Sequence, residues 1–186
     1  MSDVIRAAVW MTGAIGSFTA MAIAGRAVSF ELDTFEIMMF RSFVGIVLVL
    51  VIAGAAGTLG QITRRNLGLH AIRNLCHFTG QNLWFFALTM IPLAQLFALE
   101  FTSPLWVLLL SPLFLGERLT RPKVLAALVG FAGVLIVVRP DFNALNIGVI
   151  CAAASAIFFA GTAIATRKLT RGETITCILF YLTVMQ

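Results

Sequence analysis

The chain has 186 residues, 60% of them apolar and only 11% charged, against roughly 45–50% and about 25% in a soluble domain. That much apolar surface cannot be hidden inside a globule of this size, so an ordinary soluble protein is excluded. The net charge of +5 comes from basic residues in short clusters between apolar runs, which fits loops beside a membrane and not a nucleic-acid-binding face.

A membrane-spanning helix needs about 20 mostly apolar residues. The first candidate covers residues 5–27. Its apolar stretch, from Val4 to Val28, is too long for the core of a cleaved leader, and similar segments follow it. Further spans are expected at 34–56, 70–90, 92–115, 122–138 and 145–166, and a seventh begins near 173. The connections are short. The turn at 90–92 is MIP. In GERLTRPK (116–123), Gly116 suits a helix end and Pro122 a helix start. RPDFN (139–143) reads as another proline turn.

The distribution of Lys and Arg sets the orientation. With the N-terminus in the cytoplasm, the inner side receives Arg6, Arg64, Arg65, Arg73, Arg118, Arg121, Lys123, Arg167, Lys168 and Arg171. The outer side receives Arg26 and Arg139, and Arg41 falls within a span. Ten basic residues inside against two outside is a strong positive-inside pattern.

An internal repeat accompanies it. AIAGR (22–26) and AIATR (163–167) close the first and sixth spans, 141 residues apart. Phe18 and Phe159 share that offset, as do Phe40 and Tyr181. Five spans is an odd number, so the second copy starts from the opposite side of the membrane, giving an inverted-topology repeat.

Ionisable and polar groups inside a span are costly and point to function. At about 1.5 Å per residue, Arg41 lies about 10 Å below the outer end of its span and Glu100 about 12 Å. Gln81 and Asn82 fall about 12–15 Å deep by the same rise. Ser17, Thr19 and Ser155 belong to the same slab. The fourth span carries the carboxylate within ALEFTSP (98–104), which also holds Ser103. Pro104 has no N–H for the Glu100 carbonyl four residues earlier, and Pro112 does the same to Leu108. A kink toward a polar interior is expected. Glu100 then either lines a cavity or pairs with Arg41 to hold two helices together.

The third span shows a polar and aromatic stripe of His70, Asn74, His77, Gln81 and Trp84 or Phe85, at spacings of three and four. His77, Gln81 and Trp84 are read as cavity-lining, and His70 and Arg73 as residues of the inner interface. Glu36 is read as interfacial, and Glu117, beside Arg118 and Arg121, as part of a salt-bridged loop. Ala152, Ala156, Ala160, Gly130 and Gly133 are read as positions of close helix packing. Cys76, Cys151 and Cys177 show neither disulfide nor metal spacing and are read as packing residues. There is no phosphate loop, no HExxH and no GxSxG.

The run FALTMIPLAQLFALEFTSPLWVLLLSPLFLGERLTRPKVLAALVGFAGVLIVVRP (86–140) closely resembles the drug/metabolite transporter superfamily, EamA type. The resemblance rests on the proline turn after the third span, the proline within the fourth, LGE (115–117), GFAGVLIVVRP (130–140), and FRSFVG (40–45) with its arginine. It extends over essentially the whole chain and is sharpest at 86–140. It implies a bacterial inner-membrane secondary transporter of ten helices, built as two inverted five-helix repeats around a central cavity. Members move amino acids, nucleotide-like metabolites, vitamins or drugs, and the sequence looks nearest to the branch with S-adenosylmethionine uptake carriers. Ten helices are implied, whereas six and part of a seventh are present, so the chain reads as a C-terminally truncated fragment or a truncated product. A truncated product could act as a homodimer, although the charge bias argues against dual insertion.

The expected fold is therefore all-α: a polytopic helical membrane protein with a five-helix inverted-repeat transporter fold. Residues 1–140 form the first repeat and 141–186 the beginning of the second. The expected function is secondary transport of a small polar or amphipathic metabolite, with membrane lipids around the protein and no nucleic-acid partner. Arg41, His77, Gln81, Asn82, Trp84, Glu100 and Ser103 are the expected substrate-binding residues, and Glu100 the expected proton carrier. No catalytic residue, cofactor or metal is expected. Two alternatives stand beside this reading: a membrane-bound lipid-modifying enzyme built on His70 and Arg73, and a non-transporting fragment or assembly subunit.

Overall fold

The computed structural model describes residues 3–138 and 146–186. Among them the chain forms eight α-helices, one short 3-10 turn at Leu59–Gln61, and no strand. The helices are α1 Asp3–Val28, α2 Thr34–Ala55, α3 Leu67–Met90, α4 Leu93–Glu100, α5 Ser103–Leu115, α6 Arg121–Val138, α7 Ile147–Leu169 and α8 Ile175–Val184. Each expected span has its helix, within a few residues at each end. The proline turn at 139–143, with Arg139, and the boundary at 140 lie outside the described residues.

Four stretches are long and apolar enough to cross a membrane: Val4–Val28, Thr34–Ala55, Leu93–Leu115 and Ile147–Leu169. α3 is also of spanning length, but its polar stripe lowers its mean hydropathy. Its polar side chains avoid lipid by facing protein: His70, Arg73, Asn74 and Gln81 are all buried. On α1 and α2 the reverse holds, and large apolar side chains such as Trp10, Phe18, Phe43, Val51 and Ile52 are exposed. In water so much exposed apolar surface would drive aggregation; in a bilayer it meets lipid tails.

The capping chemistry explains where helices begin and end. Asp33 and Glu36 form a capping box at the start of α2, each side chain accepting the other's backbone N–H at 2.9 Å. Glu36 is thus a structural cap, in keeping with its interfacial reading. Gly116 closes α5 in the left-handed conformation with φ of 68°, where a side chain would be strained. Arg26 donates to the carbonyls of Leu88 and Ile91 at the C-terminal end of α3. A cation there satisfies orphan carbonyls and complements the helix dipole.

The fourth span is broken, not merely bent. α4 stops at Glu100, residues 101–102 form a turn, and α5 restarts with Pro104 in its first turn. The Thr102 N–H bonds to Leu99 O at 3.0 Å, one residue short of helical register, and the Thr102 hydroxyl donates to the same carbonyl at 2.6 Å. Pro112 leaves α5 continuous. The Ser111 hydroxyl donates to the Leu108 carbonyl at 3.2 Å, supplying the bond that Pro112 withholds.

The core lies where α3 packs along α7, with α4 and α5 also against α7. Ala152, Ala156 and Ala160 are fully buried there, as their spacing suggests. Two glycines make the approach possible. A Cβ on Gly80 would sit 3.1 Å from the Phe159 ring and 3.2 Å from Phe158 Cβ. A Cβ on Gly148 would sit 2.7 Å from Met90 Cβ. Gly130 and Gly133, by contrast, have nothing within 4 Å; the expectation that they pack closely does not hold, because α6 turns that face away from the bundle.

The helix boundaries repeat at the offset seen in the letters. Val28 and Leu169 end α1 and α7, Asp33 and Thr174 cap the next helices, and Thr34 and Ile175 begin them; each pair is 141 apart. Both caps work alike, Asp33 accepting from Glu36 N and Thr174 from Cys177 N.

Candidate functional site

One turn of α3 organises the expected site. Gln81 and Trp84 are three residues apart, so they project from neighbouring positions of one helical face. Gln81 reaches α2, where its Oε1 accepts from Arg41 Nη1 at 2.9 Å. Trp84 reaches α4, where its Nε1 donates to Glu100 Oε2 at 2.8 Å. The indole is 3% exposed, packed edge-on against Phe85 and Phe97 with ring centroids 5.2 and 6.4 Å away. Phe85, Leu88, Leu96 and Ala152 close the apolar core around it.

Arg41 and Glu100 are therefore not each other's partners. Among the described residues no ion pair joins them, and the pairing weighed from their matching depths is replaced by two bonds to neutral side chains. The physical reason is reach: the α3 turn stands between α2 and α4 and intercepts both charges. A guanidinium offers five N–H donors and a carboxylate about four acceptor positions, so one bond each leaves capacity on both.

His77 lies one turn nearer the N-terminal end of α3. Its Nδ1 bonds to the Gln186 amide, and its ring is 6.1 Å from that of Phe159. Asn82 donates back to Phe78 O at 2.9 Å, and its Oδ1 is buried with no partner among the described residues. Ser103 donates to the Ala156 carbonyl at 2.8 Å, tying the start of α5 to α7. Ser155 is fully buried and donates to Ala152 O at 2.7 Å. Ser17 and Thr19 do not join this level. Both are exposed, because α1 meets α3 near its C-terminal end, around Ala22, Gly25 and Arg26.

An open concavity of about 410 Å³ borders the Arg41 end. Val28, Leu32, Ile37, Phe40, Arg41, Val44, Gly45 and Leu48 line it. Of the expected site residues it takes in Arg41 alone. Gln81, Trp84 and Glu100 lie behind it in the packed bundle, and the described residues do not gather all seven into one cavity.

A second polar level lies at the opposite end of α3, around Glu173, which the sequence did not single out. Glu173, in the turn before α8, accepts from Thr63 Oγ1 at 2.7 Å and from Asn66 Nδ2 at 2.6 Å. The Thr63 bond holds the Glu173 carboxyl below the usual carboxylate range, against the opposing effect of burial and with a smaller contribution from Asn66. Arg65 donates to Gly172 O at 2.8 Å. His70 and Cys177, expected as an interface residue and a packing residue, are both fully buried beside this carboxylate. Arg73 donates to Thr166 Oγ1 and Asn74 Oδ1 at 3.1 and 2.8 Å, and Asn74 donates to Tyr181 O at 2.9 Å. His70 and Arg73 thus face protein, not the lipid interface where an enzyme acting on lipids would need them. The only sequence signal for this level is the polarity of the two short loops, 107 or more residues apart.

Glu117 is salt-bridged as expected, to Arg167 Nη2 at 2.7 Å and to Lys123 Nζ at 3.6 Å.

The EamA-like transporter family matches residues 5–139. A riboflavin transporter of Brucella anthropi is 32% identical over 149 residues, covering 80% of this chain and 52% of that protein. A pseudopaline exporter of Pseudomonas aeruginosa is 31% identical over 170 residues, covering 90% and 59%. An S-adenosylmethionine uptake transporter of Rickettsia conorii is 27% identical over 172 residues, covering 92% and 58%. The chain spans between half and three fifths of the length of these relatives. A solved crystal structure, 23% identical, superposes with a TM-score of 0.64 over 91% of this chain and 59% of its own, which shows a shared fold. Three different solutes are named at similar identity, so the S-adenosylmethionine branch is not singled out.

Proposed function

Since the chain belongs to the EamA-like transporter family and is a multi-pass helical membrane protein, we propose that it serves secondary transport of a small polar or amphipathic metabolite. The observation that carries this reading is the separation of Arg41 and Glu100 by one turn of α3. Two opposite charges are held apart within the bundle by neutral partners. A cation and an anion free to pair would cancel; held apart, the exposed Arg41 and the half-buried Glu100 can take the carboxylate and the cationic or N–H groups of a dipolar solute. Trp84, packed in the core, would meet a ligand only on opening of the bundle, and in this structure it holds the Glu100 carboxylate in place. His77, Asn82 and Ser103 extend the polar surface, the unpartnered Asn82 Oδ1 offering an acceptor.

Glu100 is the proposed proton carrier. The adjoining break at 101–102, opposite Pro104, supplies a hinge at which α4 and α5 can move separately. The shared helix boundaries at an offset of 141 support a first repeat over 1–140 and the beginning of a second over 141–186. The charge bias supports insertion in the bacterial inner membrane with the N-terminus in the cytoplasm. A homodimer is the proposed assembly if this chain acts by itself. The riboflavin, pseudopaline and S-adenosylmethionine carriers give the first solutes to try, together with amino acids and nucleotide-like metabolites.

The test is a thermal-shift screen of the purified chain against those solutes. A stabilising solute should lose its effect in Arg41→Ala. An effect retained in full by Arg41→Ala would remove Arg41 from the site.

A further inference from the structure

His70, Glu173 and Cys177 come from three separate places: the first turn of α3, the loop before α8, and the first turn of α8. Their ligating atoms all lie within 4.8 Å of one another. Zinc–ligand distances of about 2.0–2.3 Å put two ligands roughly 3–4 Å apart, so a small inward adjustment of these side chains would close them around one ion. The ligands are an imidazole, a carboxylate and a thiol, the three donor types that zinc favours.

We propose that these three residues form a binding site for a divalent transition metal of the zinc class, pinning α8 and its preceding loop to α3.

Five features support it. The cluster is enclosed: His70 and Cys177 are 0% exposed and Glu173 9%. The imidazole is poorly satisfied by the protein alone. Its Nε2 has only a thiol contact at 3.9 Å, and its Nδ1 has no partner among the described residues. A metal at Nε2 would replace the weakest of these contacts with a strong one. The carboxylate is already oriented, with Thr63 donating to one oxygen and Asn66 to the other, the outer-shell arrangement that ligating carboxylates need. An ionised Glu173 and a thiolate Cys177 together carry two negative charges, so a divalent ion makes the site neutral and removes the cost of an unpaired buried charge. The Thr63 carbonyl, 3.7 Å from the Cys177 sulfur, places a further oxygen beside it. The binding equation balances simply: the metal enters and the Cys177 thiol gives up its proton to solvent.

The site stands apart from Arg41 and Glu100 and needs no transported solute, so its test is separate from that of the transport reading. The full chain is purified with Cys76→Ser and Cys151→Ser, leaving Cys177 as its only thiol, and titrated with Co2+. Binding should produce a thiolate-to-cobalt charge-transfer band with intense tetrahedral d–d bands, both bleached by one equivalent of Zn2+. His70→Gln and Glu173→Gln should each weaken cobalt binding more than tenfold. Thr63→Val keeps all three ligands and should weaken it roughly 10–100-fold through lost orientation of Glu173, which secures the test if a ligand variant fails to fold. Absence of the charge-transfer band, or a cobalt affinity unchanged by Thr63→Val and by both ligand variants, would overturn the assignment.

Discussion

The Trp84 indole N–H lies 2.8 Å from Glu100 Oε2 and fixes the carboxylate at the last residue of α4, directly before the break opposite Pro104. A hydrogen bond to a charged acceptor in a protected setting contributes about 1.5–3 kcal/mol. Trp84→Phe keeps the ring that packs on Phe85 and Phe97 but removes the donor. It should lower stability by about that amount in a melting or denaturant assay. Glu100→Gln keeps an acceptor oxygen, so it should melt close to wild type while losing proton-driven accumulation and keeping solute exchange. Accumulation by Glu100→Gln equal to wild type would remove Glu100 as the proton carrier.

Ser111 and Pro112 form a compensating pair, because the Ser111 hydroxyl occupies the carbonyl that Pro112 cannot serve. Ser111→Ala should cost about 1 kcal/mol. In a Pro112→Ala background, where the helix can supply its own N–H, the same change should cost close to nothing. A double-mutant cycle on thermal stability measures the difference directly.

Glycines should separate by location. Gly80→Ala and Gly148→Ala force a Cβ against Phe158, Phe159 and Met90, and each should destabilise by about 1–3 kcal/mol. Gly130→Ala and Gly133→Ala meet no neighbour and should raise stability by about 0.5–1 kcal/mol through helix propensity. Equal effects at all four positions would mean that the close packing of α3 on α7 is misassigned.

Much of the architecture is readable from the letters. Apolar runs place the spans to within a few residues, since a bilayer demands such runs whatever their partners, but they do not show that the fourth span divides into α4 and α5. Gly116, Pro104 and the three alanines of α7 also act as their chemistry dictates. The partners of the polar residues are not readable in the same way. Arg41 and Glu100 share a depth, which suggests pairing, but depth says nothing of the α3 turn that stands between them. Cys177 looks like packing because its neighbours in sequence are apolar, whereas its neighbours in space are His70 and Glu173, and that contact depends on how α8 returns to α3. Gly130 and Gly133 fail for a related reason: a small residue permits close approach without causing it.

Orientation is open to a simple reporter assay. A fluorescent protein fused to the N-terminus should fold and fluoresce, as it does in the cytoplasm. A phosphatase fused after Phe30, in the α1–α2 turn, should be active, as it is outside. The ten-to-two distribution of basic residues predicts this pair of results, and the inverse pair would reverse the assignment of both faces.

The measurement closest to the central claim is solute flux in proteoliposomes containing the chain, with wild type and Arg41→Ala compared at equal incorporation. The account predicts saturable uptake of a solute that stabilises the protein, driven by an imposed proton gradient and reduced at least tenfold in Arg41→Ala. Flux that is absent from wild type for every stabilising solute, or that is identical in the variant, would contradict it.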